Sequence, residues 1–384
     1  MLEFRQVSKQ YHQEKVLDQV SFTAKEGEVV VLIGPSGCGK TTSLKMINRL
    51  IDPTSGQILL GGKDIRQEDP IRLRRRMGYV IQQTGLFPHM TVEENIQIIP
   101  RLEKRPEKEI AQRTVELMKM VGLSPEEFLF RYPNQLSGGQ QQRIGVARAF
   151  ATDPEIVLMD EPFSALDPIT RSQLQDELVT LQAQLHKTIV FVTHDMDEAI
   201  KIADKICIMH KGHVLQYDTP ENILKYPADD FVREFVGRKR IWSSPELIRA
   251  RDIMMTAPIT APAEMAFLRA VEVMRMNKVD SLLVVDSRHR FLGIVSVKEL
   301  RRRAAQEGFH PEENAPLRQL MNPNPPCCRP EDSIVSLLKT VNDADLATLP
   351  VVDEEGILRG LITKGSLVST LSQQFITDEG GVSA

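Results

Sequence analysis

The feature that constrains this chain most is a run of five apolar residues, Val29 to Ile33, followed at once by Gly34-Pro35-Ser36-Gly37-Cys38-Gly39-Lys40-Thr41. Five apolar residues without alternation read as a strand buried on both faces, the habit of parallel sheets. From Thr42 to Asn48 the spacing turns helical. Gly34, Gly37 and Gly39 let successive backbone N–H groups converge on a polyphosphate without Cβ clashes. The helix start adds its positive dipole end at the same point. Lys40 is placed to reach β- and γ-phosphates, and the Thr41 hydroxyl to take a Mg²⁺ coordination position. A glycine turn that only joined strand to helix would need neither. In this order the three pieces predict a nucleoside-triphosphate site in an α/β domain.

A chain of 384 residues has room for two or three domains with substantial cores. Its net charge of −4 leaves no basic excess for a phosphate backbone, which argues against a general nucleic-acid binder. Met1 to Arg5 lacks the apolar core of a signal peptide. No run approaches the roughly 18 apolar residues a membrane span needs. The four cysteines, Cys38, Cys207, Cys327 and Cys328, show no CxxC spacing and predict a reduced cytosolic protein without a zinc site. Service to a membrane would then come from the cytosolic side, through a partner.

Ahead of the loop, Leu2 to Lys25 alternates as antiparallel strands do, and Tyr11 lies in that stretch as a strand aromatic. Arg72 to Met77 is a basic cluster that reads as a solvated helix face. Met77 to Ile81 reads as a strand leading to Gln82, and Arg101 to Val121 is charged and helical in spacing. At Ser137-Gly138-Gly139-Gln140 a natural N-cap precedes two glycines that bare the first N–H groups of a helix. Ile156 to Met159 is a buried strand ending in Asp160 and Glu161. Two acids there are costly unless they serve a cation or a reaction. Asp160 suits Mg²⁺, and Glu161 can orient an attacking water. A third apolar strand, Thr188 to Val192, ends at Thr193-His194-Asp195. Active residues at the carboxyl ends of such strands fit the rule for ligand crevices in α/β sheets.

In this order the motifs resemble the nucleotide-binding subunit of ABC transporters over residues 1 to about 240. The resemblance implies a P-loop ATPase domain with a mixed sheet core, an antiparallel β subdomain and a helical subdomain. It gives ATP and Mg²⁺ as cofactors and places Tyr11 on the adenine. Gly34 to Thr42, with Pro35, Ser36, Cys38 and Thr42 among them, match the Walker A loop, where an adduct on the Cys38 thiol would occupy phosphate space. Gln82 matches the glutamine that contacts Mg²⁺ and senses the permease. Leu136 to Gln140 match the signature motif, and Asp160 and Glu161 the Walker B aspartate and catalytic glutamate. Ser164 to Asp167 match the D-loop, and His194 the switch histidine on the γ-phosphate. The family pairs head to tail as a homodimer and sits under integral-membrane permease subunits at the cytoplasmic face.

Past a linker expected at 241–251, with the single tryptophan Trp242, the chain repeats itself at an offset of 67 residues. Leu282 to Asp286 recurs as Leu349 to Asp353, and Gly293 to Ser296 as Gly360 to Thr363. The two units, 252–308 and 315–374 with a tail from 375 to 384, resemble an α+β tandem pair of CBS domains. The resemblance points to an adenine nucleotide or cyclic dinucleotide in the cleft, with Ser296 and Thr363 as hydroxyl donors. Many such units carry an Asp for the ribose where this chain has Glu299 and Ser366; Glu299 can still accept a ribose hydroxyl. A structural, dimerising role stands beside that reading. An ABC subunit followed by a CBS pair resembles the ATPase of quaternary-amine osmolyte importers, which take up glycine betaine, carnitine or choline with an external binding protein. Two other readings are an importer ATPase for a different small solute and a soluble ABC protein of translation or DNA repair. The latter usually has two ATPase units or a long coiled-coil insertion, and this chain has neither.

Overall fold

Strand β3 (Val29–Ile33) is buried along its whole length, and its parity sorts its side chains between two cores. Val29, Val31 and Ile33 enter one core and Val30 and Leu32 the other. The computed structural model describes residues 1–82, 85–237, 247–297, 315–344 and 346–375. These fall in two units, Met1–Gly237 and Arg238–Ala384.

In the first unit, β1 (Leu2–Tyr11) and β2 (Glu14–Ala24) form a hairpin. With β4 (Ser55–Leu60) and β5 (Lys63–Asp64) it makes an antiparallel sheet ordered β2-β1-β4-β5. The second sheet adds to β3 five strands: β6 (Met77–Val80), β7 (Ile156–Asp160), β8 (Thr188–Thr193), β9 (Lys205–His210) and β10 (His213–Asp218). Its order is β10-β9-β3-β8-β7-β6, parallel except for β10. The helix Lys40–Ile47 packs between the two sheets through Leu44, Met46 and Ile47. On the opposite face lies a helical layer, including Val92–Leu102, Glu107–Met120 and Gly138–Ala149. The helix expected over Arg101 to Val121 is thus two, parted by a turn in which Lys104 has φ 56° and Pro106 starts the second.

The basic cluster is less solvated than its charge suggests. Arg74 donates to the carbonyls of Asn48 and Arg49 at the end of the phosphate-loop helix, and Arg76 pairs with Glu68 and Glu155, both at 2.8 Å. Cations at a helix C-terminus offset its dipole, so Arg74 holds the end of the core helix, while Arg76 ties β6 to neighbouring loops.

In the second unit, β11 (Thr260–Pro262), β12 (Ser281–Val285) and β13 (Phe291–Ser296) form one sheet, and β14 (Thr348–Val352) and β15 (Leu358–Thr363) another. The repeats exchange their leading segments. Met255 pairs in both directions with Leu361 of the second repeat, and Asn322 pairs likewise with Ile294 of the first. These are the same contact moved by the 67-residue offset. Ile248 and Ala250, within the expected linker, are buried in the second repeat's core, and Leu317 is buried in the first's. The exchange needs glycine: a Cβ on Gly293 would lie 2.4 Å from the Asn322 carbonyl, and one on Gly360 2.8 Å from that of Met255. Trp242 and Glu299 lie outside the described residues.

Candidate active site

The loop after β3 turns on two glycines in the left-handed region, Gly37 at φ 81° and Gly39 at φ 102°. A Cβ on Gly34 would sit 2.0 Å from the Met209 carbonyl, so the loop starts hard against β9. The helix begins at Lys40, sooner than the sequence spacing indicates, which puts Lys40 and Thr41 in its first turn. Lys40 is buried and its Nζ donates to the carbonyls of Gly34 and Pro35 at 2.7 and 3.0 Å. The ammonium thus lies across the loop it would serve. Cys38 departs from expectation: its side chain is buried in the core beneath the loop, and burial raises its thiol pKa. It meets the phosphate space through its backbone, not its sulfur.

Parity aims the next residue. On β7, Ile156 and Leu158 face the core that holds the phosphate-loop helix, so Asp160 faces it too. Its Oδ1 accepts from the Thr41 hydroxyl at 3.0 Å. Asp160 is 6% exposed, and burial raises its pKa above the usual carboxylate value, opposed by the Thr41 bond. Glu161 then turns out of the strand at φ 44°, a conformation rare for a residue with a Cβ. Its N–H bonds to the Val192 carbonyl of β8 at 3.0 Å. The carboxylate Oε2 accepts from Gln82 Nε2 at 3.1 Å and lies 3.4 Å from His194 Nδ1. Gln82, Glu161 and His194 follow β6, β7 and β8, and the phosphate loop follows β3 beside them. Four neighbouring parallel strands present these groups at their carboxyl ends.

Ser137, Gly138, Gly139 and Gln140 stand apart from this cluster, at the start of the helix Gly138–Ala149. Ser137 Oγ accepts from the Gln140 N–H, and the Gln140 side chain accepts from the Ser137 N–H. That capping box fixes the turn. Space around a Cβ on Gly138 is open. Asp167 spends its carboxylate on capping the helix Pro168–Leu185 through the Thr170 N–H. Tyr11 is 42% exposed, with Lys9 Nζ 4.8 Å from its ring centre. Ser36 and Thr42 belong to the loop and helix without a side-chain bond to the cluster among the described residues.

Three residues escaped the sequence reading. Asn95, fully buried, donates to the Phe87 and Met90 carbonyls and accepts from the Phe87 N–H, pinning the loop after Gln82. Arg148 donates to the Gly85 carbonyl at 2.8 Å in the same loop. Arg171 joins two further loops, through the Leu166 carbonyl and the Asp195 carboxylate. Each lies within a helix whose periodicity hides it.

In the second unit the predicted ligand residues are partly occupied elsewhere. Thr363 and Ser366 cap the start of the helix Lys364–Phe375 with each other's hydroxyl and N–H groups. Asp286 and Asp353 hold their hairpin turns, and these backbone bonds lower both pKa values. A cavity of about 820 Å³ opens near Arg329, Glu331, Asp353 and Arg359, without Thr363 on its wall.

A phosphate loop, an acid pair and a serine-capped helix that opens on two glycines, on a mostly parallel sheet flanked by an antiparallel sheet and a helical layer, define an ATP-binding cassette ATPase. The chain matches the ABC transporter family over residues 17–164 and the CBS domain family over 250–306 and 317–373. It is 46% identical over 391 residues to the glycine betaine/carnitine/choline transport ATP-binding protein OpuCA of Bacillus subtilis, covering 99% of this chain and 98% of that one. It is 40% identical over 378 residues to the osmoprotectant import ATP-binding protein OsmV of Salmonella typhimurium, covering 97% and 96%. The dimeric structure of MJ0796, a bacterial ABC transporter cassette, superposes with a TM-score of 0.53 at 36% identity, over 57% of this chain and 99% of that one. The chain belongs to the ATP-binding subunits of quaternary-amine ABC importers, with a C-terminal CBS pair. It is an ATPase coupled to solute transport.

Proposed function

We propose that this chain hydrolyses Mg·ATP at the Lys40–Asp160–Glu161–His194 cluster to drive import of glycine betaine, carnitine or choline. The observation that supports it is the Glu161 carboxylate held between Gln82 and His194, beside the Thr41–Asp160 pair. With ATP bound, Lys40 exchanges the loop carbonyls for β- and γ-phosphate oxygens, joined by backbone N–H groups of the loop, and Tyr11 stacks on the adenine. Thr41, Asp160 and Gln82 offer the hard oxygen donors that Mg²⁺ takes, and bound there the ion would neutralise charge on the phosphates. Glu161 orients a water in line with the γ-phosphorus; the water oxygen bonds phosphorus, the bond to the β-bridging oxygen breaks, and a water proton passes to Glu161. His194 holds the carboxylate and donates to the γ-phosphate. Ser137 to Gln140 and Asp167 complete a second copy's site, head to tail.

No described helix is long and apolar enough to cross a membrane, so the solute would pass through separate permease subunits, with this chain bound at their cytoplasmic face. An external binding protein would deliver the solute. The loop after Gln82 docks the permease, and the CBS pair regulates, with an adenine nucleotide or cyclic dinucleotide as ligand. Uptake of labelled glycine betaine, carnitine and choline by a strain lacking this gene, with and without the gene restored, tests the reading. Restored uptake of one of them, abolished again by Glu161→Gln, is the expected result; no uptake of any would overturn the substrate class.

A further inference from the structure

Around Glu161 runs a closed ring of contacts. The Ser164 hydroxyl donates to the Glu161 carbonyl at 3.0 Å. Two residues on, the Leu166 carbonyl accepts from Arg171 Nη2 at 3.0 Å. Arg171 Nη1 in turn faces Asp195 Oδ2 at 3.7 Å. Asp195 adjoins His194, whose Nδ1 returns to Glu161 at 3.4 Å. The Asp195 carboxylate is divided: Oδ1 accepts from the N–H groups of Asp197 and Glu198, and Oδ2 is left to the guanidinium.

We propose that Arg171 is a positioning residue for hydrolysis, tying the Ser164–Asp167 turn to the His194 loop so that both hold the Glu161 carboxylate in one geometry. A purely structural account of Arg171 fits poorly. Its Nε is buried with no acceptor among the described residues, a cost that an apolar side chain of the same length would avoid. The helices carrying the two loops are already joined by Gln175 to Glu198 at 3.0 Å and by Lys201 to Asp176 at 2.8 Å. Fold cohesion here does not depend on Arg171. What Arg171 adds is a planar fork whose two ends reach two different loops.

The inference rests on hydrolysis at Glu161, and the test keeps the two apart. ATP hydrolysis by the full chain is measured for wild type, Arg171→Met, Arg171→Lys and Glu161→Gln. Single turnovers with enzyme in excess are also run for His194→Ala with and without Arg171→Met. Misplacement of a catalytic group costs rate rather than binding, so Arg171→Met should lower kcat about tenfold with KM within about twofold. Arg171→Lys, which keeps the charge but not the fork, should fall between, with unchanged thermal melting. In His194→Ala the further change from Arg171→Met should shrink below about twofold, because the two act through one carboxylate. Should Arg171→Met not fold, Arg171→Lys decides: a kcat equal to wild type overturns the proposal. It is also overturned by a tenfold loss that persists in His194→Ala, or by a rise in KM alone. Full turnover in Glu161→Gln would instead remove the hydrolytic reading itself.

Discussion

Asp160 is buried, and burial holds its pKa above the ordinary carboxylate value. An acid whose folded pKa is raised binds its proton more tightly in the folded state. The empty fold therefore loses stability as pH rises from the ordinary carboxylate range through the raised Asp160 value. Asp160→Asn keeps an acceptor for the Thr41 hydroxyl and removes the charge. Its melting temperature without nucleotide should equal or exceed that of wild type at neutral pH. Mg·ATP at about 100-fold over its Kd stabilises a protein by about 2.7 kcal/mol, and the variant should lose most of that gain. Melting curves with and without Mg·ATP decide, and a variant stabilised as fully as wild type would contradict the role. Cys38 gives the opposite expectation to its position in the motif. Because its sulfur is buried, it should react with maleimide far more slowly than the exposed Cys327, by mass spectrometry of the native protein. Rapid labelling of Cys38 would show the loop open. That Lys40 and Thr41 follow β3 and that Asp160 and Glu161 stand at the end of β7 was legible from spacing and strand context. The direction of the Cys38 side chain was not, because a loop lacks the period that sorts a strand's faces.

Among the elements, β3, β7 and β8 were legible as unbroken apolar runs, and their register put the site groups on neighbouring strand ends. Less legible was how closely the helix Gly138–Ala149 sits on β6. A Cβ on Gly78 would lie 2.3 Å from the Ala149 carbonyl, backbone that cannot rotate away. Gly78→Ala should push that helix from the sheet and cost about 1–3 kcal/mol in denaturant unfolding. A variant as stable as wild type would mean that β6 and the helix separate freely. Nothing in the sequence marks Gly78, since a glycine within a short strand reads as a weak strand former and not as a contact.

For the whole molecule, the self-similarity at 67 residues revealed a duplicated second unit, but not that each repeat lends its leading segment to the other. Ile248 to Met254 looks like any short helix, and adjacency in sequence does not say which core receives it. Deleting residues 315–384 should therefore unfold the first repeat as well, since Leu317 and the Asn322 pairing with Ile294 go with them. Calorimetry should show the transition of residues 1–237 alone; a surviving second transition would contradict the exchange. In the proposed mechanism Glu161 serves hydrolysis, and ATP binding does not need its carboxylate. Purified Glu161→Gln should bind ATP as wild type does and turn it over ~10²-fold or more slowly. ATP should drive it to twice its mass by light scattering. Turnover within a few-fold of wild type would contradict the account.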